Sequence, residues 1–294
     1  KPIPLWYQQF PVENLCLDLS EKDNAIRAVE DADEVYNFAA DMGGMGFIEK
    51  FRIECMRSVL INTHLLEASY HAGVSKYLFA SSACVLNTDL QKDTNVKALK
   101  ESDAYPSKAE IGYGEEKLFS ERLCEQYYIE RGMKTFIPRF FNIYGTYGTW
   151  DGGREKAPAA ICRKIIESKY NNNHEITIWG DGNQVRNFTW IDDCIHGLDY
   201  IMDCEDLIAT PVNLGSAETV TINRLVDIVE DIAEIKVLRK YDLSAPKGVA
   251  GRGSDNTFIE SVLHWQPSTP LIEGMRRTYS WIENEYLYKK KYLL

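Results

Sequence analysis

The sequence predicts an α/β protein: a doubly wound parallel sheet with helices on both faces, followed by a smaller second lobe. Three observations carry this. Strand-like and helix-like stretches alternate through about residue 144, the pattern is less regular afterwards, and a Gly-, Thr- and Trp-containing shift at 144–150 divides the two without a flexible tether.

Residues 33–40, DEVYNFAA, read as a strand, followed by a glycine-rich turn and a long helical pattern to about residue 71. KYLFASS at 76–82 is the next strand. Residues 113–131 suit a helix, with Leu118, Leu123 and Tyr127 near one face and Glu, Lys and Arg elsewhere. KTFIPRFFNIY at 134–144 reads as a further strand. Beyond the shift, 158–167 looks helical, 176–179 a short strand, 222–232 an amphipathic helix and 271–288 a final helix. The expected division is 1–145 and 146–294, with 186–204 packing back onto the first part. In an open sheet of this kind ligands lie beyond the carboxyl ends of the strands.

Composition narrows the function classes. Of 294 residues, 33 are basic and 44 acidic, a net charge of −11, which argues against nucleic acid or an anionic membrane surface as main partner. No apolar run approaches the roughly 18 residues of a membrane span, and no signal-peptide pattern is present. The seven cysteines form no CxxC pair and are odd in number, and the five histidines are scattered. That argues against a disulfide framework or a thiolate metal site, so no metal and a reducing cytoplasm are expected. The chain begins at Lys1 with no methionine, and a preceding segment is expected to be missing.

Two places could carry chemistry. Tyr113 and Lys117 stand four apart at the start of a helix and so share a face. An ammonium beside a phenol is expected to lower the tyrosine pKa and let the pair exchange a proton with a sugar hydroxyl. Ser82, at the carboxyl end of the preceding strand, lies where such a sheet presents ligands. Cys84 follows in ASSACV; by position alone it reads first as a small buried apolar residue, with a proton-transfer group as the alternative. Arg154, Lys156, Arg163 and Lys164 crowd within eleven residues of an acidic protein, a setting for a diphosphate, although Arg163 and Lys164 also suit a solvated helix face. Arg186 and Arg252 stand near glycines and favour a ligand.

Ser82, Tyr113 and Lys117 on a parallel sheet resemble the short-chain dehydrogenase/reductase superfamily and its Rossmann-like fold. WGDGNQVRNFTWIDDCIHGL (179–198) is similar to the extended branch, which acts on nucleotide sugars. AADMGGMGFI (39–48), ASSAC, NIYGTYGTWDGGREKAPAAICRK (142–164) and GRGSDN (251–256) closely resemble the GDP-mannose 3,5-epimerase family, over about residues 18–281. The resemblance implies NAD as cofactor, a GDP-sugar as substrate and a homodimer involving the Tyr113 helix. It implies that Tyr113, helped by Lys117 and Ser82, removes the sugar 4-hydroxyl proton as hydride leaves C4. The ketone so formed acidifies C3 and C5, and Cys84 and Lys156 match the family's acid/base pair, giving GDP-L-galactose from GDP-mannose. Proximity of that thiol and amine is expected to favour a thiolate–ammonium pair.

The same resemblance places the cofactor on Asp18 (adenine side), Ala39, Ala40, Met42, Tyr113 and Lys117, within a 1–145 NAD-binding domain. It places the substrate on Gly43, Ser82, Ala83, Cys84, Asn142, Glu155, Lys156, Ala157, Lys164, Gln184, Arg186 and Arg252, with only a backbone contact left at Val185. The lobe at 146–294 would mainly bind the nucleotide sugar. The turn Gly43-Gly44-Met45-Gly46 lacks GxGxxG spacing and implies close passage by the nicotinamide and sugar, not a phosphate fingerprint.

The chain departs from the family in three ways. No GxxGxxG occurs anywhere, as though the chain entered just before the third strand. It is therefore expected to be truncated, to lack the helix N-terminus that cradles a cofactor pyrophosphate, to bind NAD poorly and to expose a strand edge. Val85-Leu86-Asn87 stands where Tyr-Pro-like residues are usual, and Arg57 and Ser58 where asparagines are usual. Two alternatives remain at this point: another NAD-dependent nucleotide-sugar epimerase or dehydratase, or a catalytically impaired dinucleotide-binding fragment. Ala83-Cys84, in place of the Asp-Glu pair usual in dehydratases, counts against dehydration.

Overall fold

The computed structural model describes residues 12–292; residues 1–11, where the expected first domain begins, lie outside that description. A short helix α1 (Lys22–Ala28) precedes strand β1 (Glu34–Asn37). The long helical pattern is two helices, α2 (Met45–Lys50) and α3 (Arg52–Ala72), because Phe51 at φ −118° and ψ 53° breaks the helical backbone between them. Gly73, left-handed at φ 73°, ends α3.

The next expected strand is divided into β2 (Lys76–Phe79) and β3 (Ser81–Ser82). Helix α4 covers Tyr113–Arg131, the span its sequence pattern gives. The strand expected over 134–144 is likewise divided, into β4 (Thr135–Phe140) and β5 (Ile143–Tyr144). Both divisions have local causes. Tyr77 N–H donates to the Lys134 carbonyl at 2.9 Å, so the even-numbered residues of β4 face β2, and Pro138 has no N–H to offer where that ladder stops. Asn142 adopts φ 40°, which ends the extended run of β4 before β5 begins.

The second half runs α5 (Ala157–Asn171), β6 (Glu175–Trp179), β7 (Val185–Asn187), β8 (Thr189–Trp190) and α6 (Ile191–Asp203). It continues with β9 (Pro211–Leu214), β10 (Thr219–Thr221), α7 (Ile222–Ala233), β11 (Leu238–Asp242), α8 (Thr257–Leu263) and α9 (Leu271–Tyr292). Among these, β7, β8, α6, β9, β10, β11 and α8 had no separate signal in the sequence pattern.

β1, β2, β4 and β9 form a parallel sheet in that order, with β3 extending the β2 side of β4. The apolar faces of α1, α3 and α4 pack on one face through Ala25, Leu66, Tyr77 and Ile137. Leu198 and Ile201 of α6 and Ile259 of α8 close the other against Leu78, Phe136 and Val212. Among the described residues β1 pairs only with β2, so its far side is an edge, and Tyr36 and Phe38 there are exposed. A further core joins α5, α7 and α9 around Ile165, Ile166, Leu225, Val229 and Met275. No described helix is long and apolar enough to cross a membrane.

Candidate active site

Ser82 ends β3, and the chain then tightens into a single 3-10 turn over Ala83–Val85. The Ser82 Oγ accepts the Cys84 N–H at 3.2 Å, fixing the turn on which the thiol sits. Helix α4 is pressed onto that turn. A Cβ at Gly114 would lie 2.2 Å from the Cys84 carbonyl oxygen, so only glycine lets the helix come this close. Glu110, just ahead of α4, donates its backbone N–H to the same carbonyl at 2.9 Å.

This packing buries Tyr113 beside Ser82. Lys117 is buried behind it, 5.6 Å from the Tyr113 ring centroid, 4.5 Å from that of Phe79 and 3.8 Å from a Glu116 carboxylate oxygen. The expected lowering of the tyrosine pKa does not occur. Burial pushes the phenol well above its ordinary value; the charges of Cys84 and Glu116 add to this, and the Ser82 hydrogen bond opposes it only in part. Burial also lowers the Lys117 pKa, against the raising effect of Glu116.

Lys156 comes from a different part of the chain. Gly44 donates its N–H to the Arg154 carbonyl at 3.1 Å, and a Cβ at Gly44 would lie 2.8 Å from the Glu155 carbonyl oxygen. Arg154 lies 4.0 Å from the Phe47 ring centroid and reaches the Met42 carbonyl, 112 residues away, at 3.4 Å. The glycine turn and the GGREKAPAA segment are thereby joined, and Lys156 is the residue from which α5 starts. Among the described residues no carboxylate lies within ion-pair reach of Lys156.

The expected thiolate–ammonium pair is corrected in the same way as the tyrosine. Burial raises the Cys84 pKa, Glu110 raises it further, and Arg252 and Ser82 only partly oppose them. Burial lowers the Lys156 pKa, with Cys84 opposing and Arg252 assisting. Desolvation outweighs attraction, so thiol and amine both lean to their neutral forms.

Arg252 is brought in by backbone stitching. Its N–H donates to the Val185 carbonyl at 3.0 Å, and Val185 N–H donates to Ala250 at 2.9 Å. Both Val185 backbone groups are thus hydrogen-bonded within the protein. The buried Arg252 guanidinium divides itself: Nε donates to Gln91 Oε1 at 2.6 Å, Nη1 to Cys84 Sγ at 3.4 Å and Nη2 to Glu110 Oε2 at 3.4 Å. Arg186 donates to the carbonyls of Val185, Lys247, Val249 and Ala250 at 2.5–3.4 Å, and burial lowers its pKa to about 10.

A single cavity of about 290 Å³ gathers these groups. All twelve residues expected to bind substrate line it: Gly43, Ser82, Ala83, Cys84, Asn142, Glu155, Lys156, Ala157, Lys164, Gln184, Arg186 and Arg252. Met42 and Tyr113 of the expected cofactor set line it too. Four expected cofactor residues are not among the lining. Lys117 lies behind Tyr113, and Ala39 and Ala40 follow β1, where Asn37 Oδ1 accepts the Ala39 N–H. Asp18 is exposed before α1, and its carboxylate accepts the Ser20 N–H at 3.0 Å and Oγ at 2.7 Å.

Several lining groups are already engaged. Lys164 Nζ donates to the Thr177 carbonyl at 2.7 Å, and Asn142 Nδ2 to that of Asn187 at 3.0 Å. Glu155 pairs with Arg163 at 2.8 Å; Arg163 also bridges to Glu167, so it is not the freely solvated side chain considered above. Gln184 Nε2 donates to the Trp179 carbonyl, leaving Oε1 buried and without a partner. The sequence reading missed Glu110 and Trp179, which also line the cavity. No local pattern marks Glu110, whose side-chain partner Arg252 is 142 residues away.

The residues fit the nicotinamide end of NAD. Ser82, Tyr113 and Met42 line the cavity, and a buried lysine lies behind the phenol. The given sequence contains no GxxGxxG, the loop that cradles a cofactor pyrophosphate at a helix N-terminus.

Residues 7–215 match the model of the NAD dependent epimerase/dehydratase family. The chain is 43% identical over 270 residues to GDP-mannose 3,5-epimerase 1 of Oryza sativa subsp. indica, covering 92% of this chain and 69% of that protein. It is 42% identical to GDP-mannose 3,5-epimerase of Arabidopsis thaliana, covering 92% and 70%. Among solved structures it is similar to UDP-glucuronic acid 4-epimerase from Bacillus cereus in complex with UDP-glucuronic acid and NAD, at 25% identity and TM-score 0.77, over 92% of this chain and 81% of that one. UDP-glucose 4-epimerase from Thermotoga maritima shares the fold at 20% identity and TM-score 0.81, over 92% and 84%.

Proposed function

Because the chain belongs to the NAD dependent epimerase/dehydratase family, we propose that it inverts C3 and C5 of GDP-mannose through transient oxidation at C4, giving GDP-L-galactose. The observation that carries the reading is one cavity holding Ser82, Tyr113, Cys84 and Lys156 together with Arg252. When bound, NAD⁺ supplies the hydride acceptor and returns the hydride at the end.

In this reading Tyr113 takes the 4-hydroxyl proton, with Ser82 ordering the phenol and Lys117 supplying positive charge behind it. The C4 ketone makes the hydrogens on C3 and C5 acidic, because each carbanion is delocalised as an enolate. Cys84 Sγ removes such a proton from one face of the ring, and Lys156 Nζ delivers one from the other. Arg252, 3.4 Å from the sulfur, stabilises the thiolate as it forms. A lysine with a lowered pKa is the stronger acid for the return step.

The 1–145 region would hold the cofactor and 146–294 mainly the nucleotide sugar. Exposed apolar residues on α3 (Ile53, Met56, Leu60), with Ile111 and Phe119 at α4, support a homodimer through these helices; a light-scattering mass of a single chain would sink that assembly. An odd number of cysteines, with Cys55, Cys84, Cys124, Cys162, Cys194 and Cys204 outside any disulfide, suits a reducing cytoplasm, which fractionation of the source cells checks.

The test is incubation with NAD⁺ and GDP-mannose in deuterated water. Deuterium is expected at C5, and at C3 if both centres invert. The competing reading is a dinucleotide-binding member of this family without turnover. That reading prevails if no deuterium enters either carbon even at saturating NAD⁺.

A further inference from the structure

Glu110 is held close to the thiol by its own backbone. Its N–H donates to the Cys84 carbonyl at 2.9 Å, and its carbonyl accepts the Glu115 N–H at 3.2 Å. The side chain lines the cavity, yet its two oxygens are unequal. Oε2 lies 3.4 Å from Arg252 Nη2, whereas Oε1 is buried with no hydrogen-bond partner. Arg252 reaches only one of them: Nη2 lies near Oε2, while Nε donates to Gln91 and Nη1 to Cys84. A buried carboxylate oxygen left unpaired is costly, and an ionised carboxylate can only accept hydrogen bonds. A hydrogen-bond donor entering the cavity can complete this oxygen.

We propose that Glu110 is a substrate-binding residue whose free oxygen accepts a hydrogen bond from one hydroxyl of the hexose. This rests on the nucleotide-sugar reading above and gives it a specificity determinant. A bare nucleotide diphosphate has no hexose hydroxyl to place there. Hexose recognition is thus separated from the grip on base and phosphates. Sugars lacking the matching hydroxyl leave the oxygen unpaired and are discriminated against.

Binding constants are measured for GDP, GDP-mannose and the 2-, 3-, 4- and 6-deoxy forms of GDP-mannose, with the intact chain and with Glu110→Ala and Glu110→Gln. Wild type should lose about tenfold or more in affinity for one deoxy sugar. Glu110→Ala should bind GDP as wild type does, which also shows that it is folded. It should bind GDP-mannose about tenfold or more weakly, with no further loss for that one deoxy sugar, because the pair is already broken. Glu110→Gln, still an acceptor but uncharged, should fall between. Equal weakening of GDP and GDP-mannose, no weakening of either, or a penalty that persists for every deoxy sugar overturns the proposal. If wild type instead prefers another nucleotide sugar over its bare diphosphate, the GDP-mannose reading falls, and the same cycle with that sugar still judges Glu110. If no hexose adds affinity to any nucleotide diphosphate, both fall.

Discussion

The thiol of Cys84 and the amine of Lys156, which line one cavity, are held by different means. Cys84 sits in a turn continuous with a strand of the sheet, clamped by α4 through Gly114 and by the Glu110 N–H. Its surroundings are buried. Lys156 follows an exposed loop at 151–154, tied down by the Gly44 N–H and by Arg154 lying over Phe47. The thiol's position is therefore set by the sheet, whereas the amine's depends on two loops from distant parts of the chain. Local stability differs accordingly, and the loop-borne group is the one that can adjust around an entering ring.

The largest expected effect separates the two chemically. Cys84→Ala should lower deuterium uptake at C5 by about 10²- to 10⁴-fold, while reduction of bound NAD⁺ by the C4 hydride stays detectable. Lys156→Met should lower inversion by a similar factor but leave uptake with retained configuration, because the base survives and only the opposing acid is lost. Mass and proton spectra of the recovered sugar distinguish these, and identical products from both variants would erase the distinction.

Next in size is a contrast in stability. Gly114→Ala places a Cβ 2.2 Å from a carbonyl oxygen in packed surroundings and should cost about 2–3 kcal/mol in denaturant unfolding. Gly44→Ala meets the Glu155 carbonyl oxygen at 2.8 Å from a loop, so it should cost under about 1 kcal/mol while still slowing turnover. The opposite order would mean that the lysine side is the rigid one.

The smallest effect is in pH. As a base Cys84 must lose its proton, and its pKa is raised above the ordinary 9.0; as an acid Lys156 must keep its proton, and its pKa is lowered below 10.5. The rising limb of kcat/KM thus moves up in pH and the falling limb moves down. A bell narrower than the unshifted pair would give is expected. A broad plateau would show that the two groups are not titrating as buried neighbours.

Much of this could be seen in the sequence. Helix α4 was legible to its ends because its apolar spacing and the Gly132 stop agree with its packing. The strand runs at 76–82 and 134–144 were legible as runs but not as divided ones. The division at β2/β3 depends on Pro138 facing that ladder, a matter of register between strands far apart in sequence. Glu110 went unnoticed because nothing local marks a glutamate whose partners are Arg252 and the Cys84 carbonyl.

By itself the sequence marked Ser82, Cys84, Tyr113, Lys117 and Lys156 as candidates, since each belongs to a recognisable local pattern. Only the tertiary structure decided that the glycine turn at 43–46 and the segment at 153–157 meet, because that contact closes over a hundred residues of chain. It also decided which way the groups titrate. Adjacency in sequence brings a charge near, but loss of water depends on everything packed around the group, and here that loss is the larger effect.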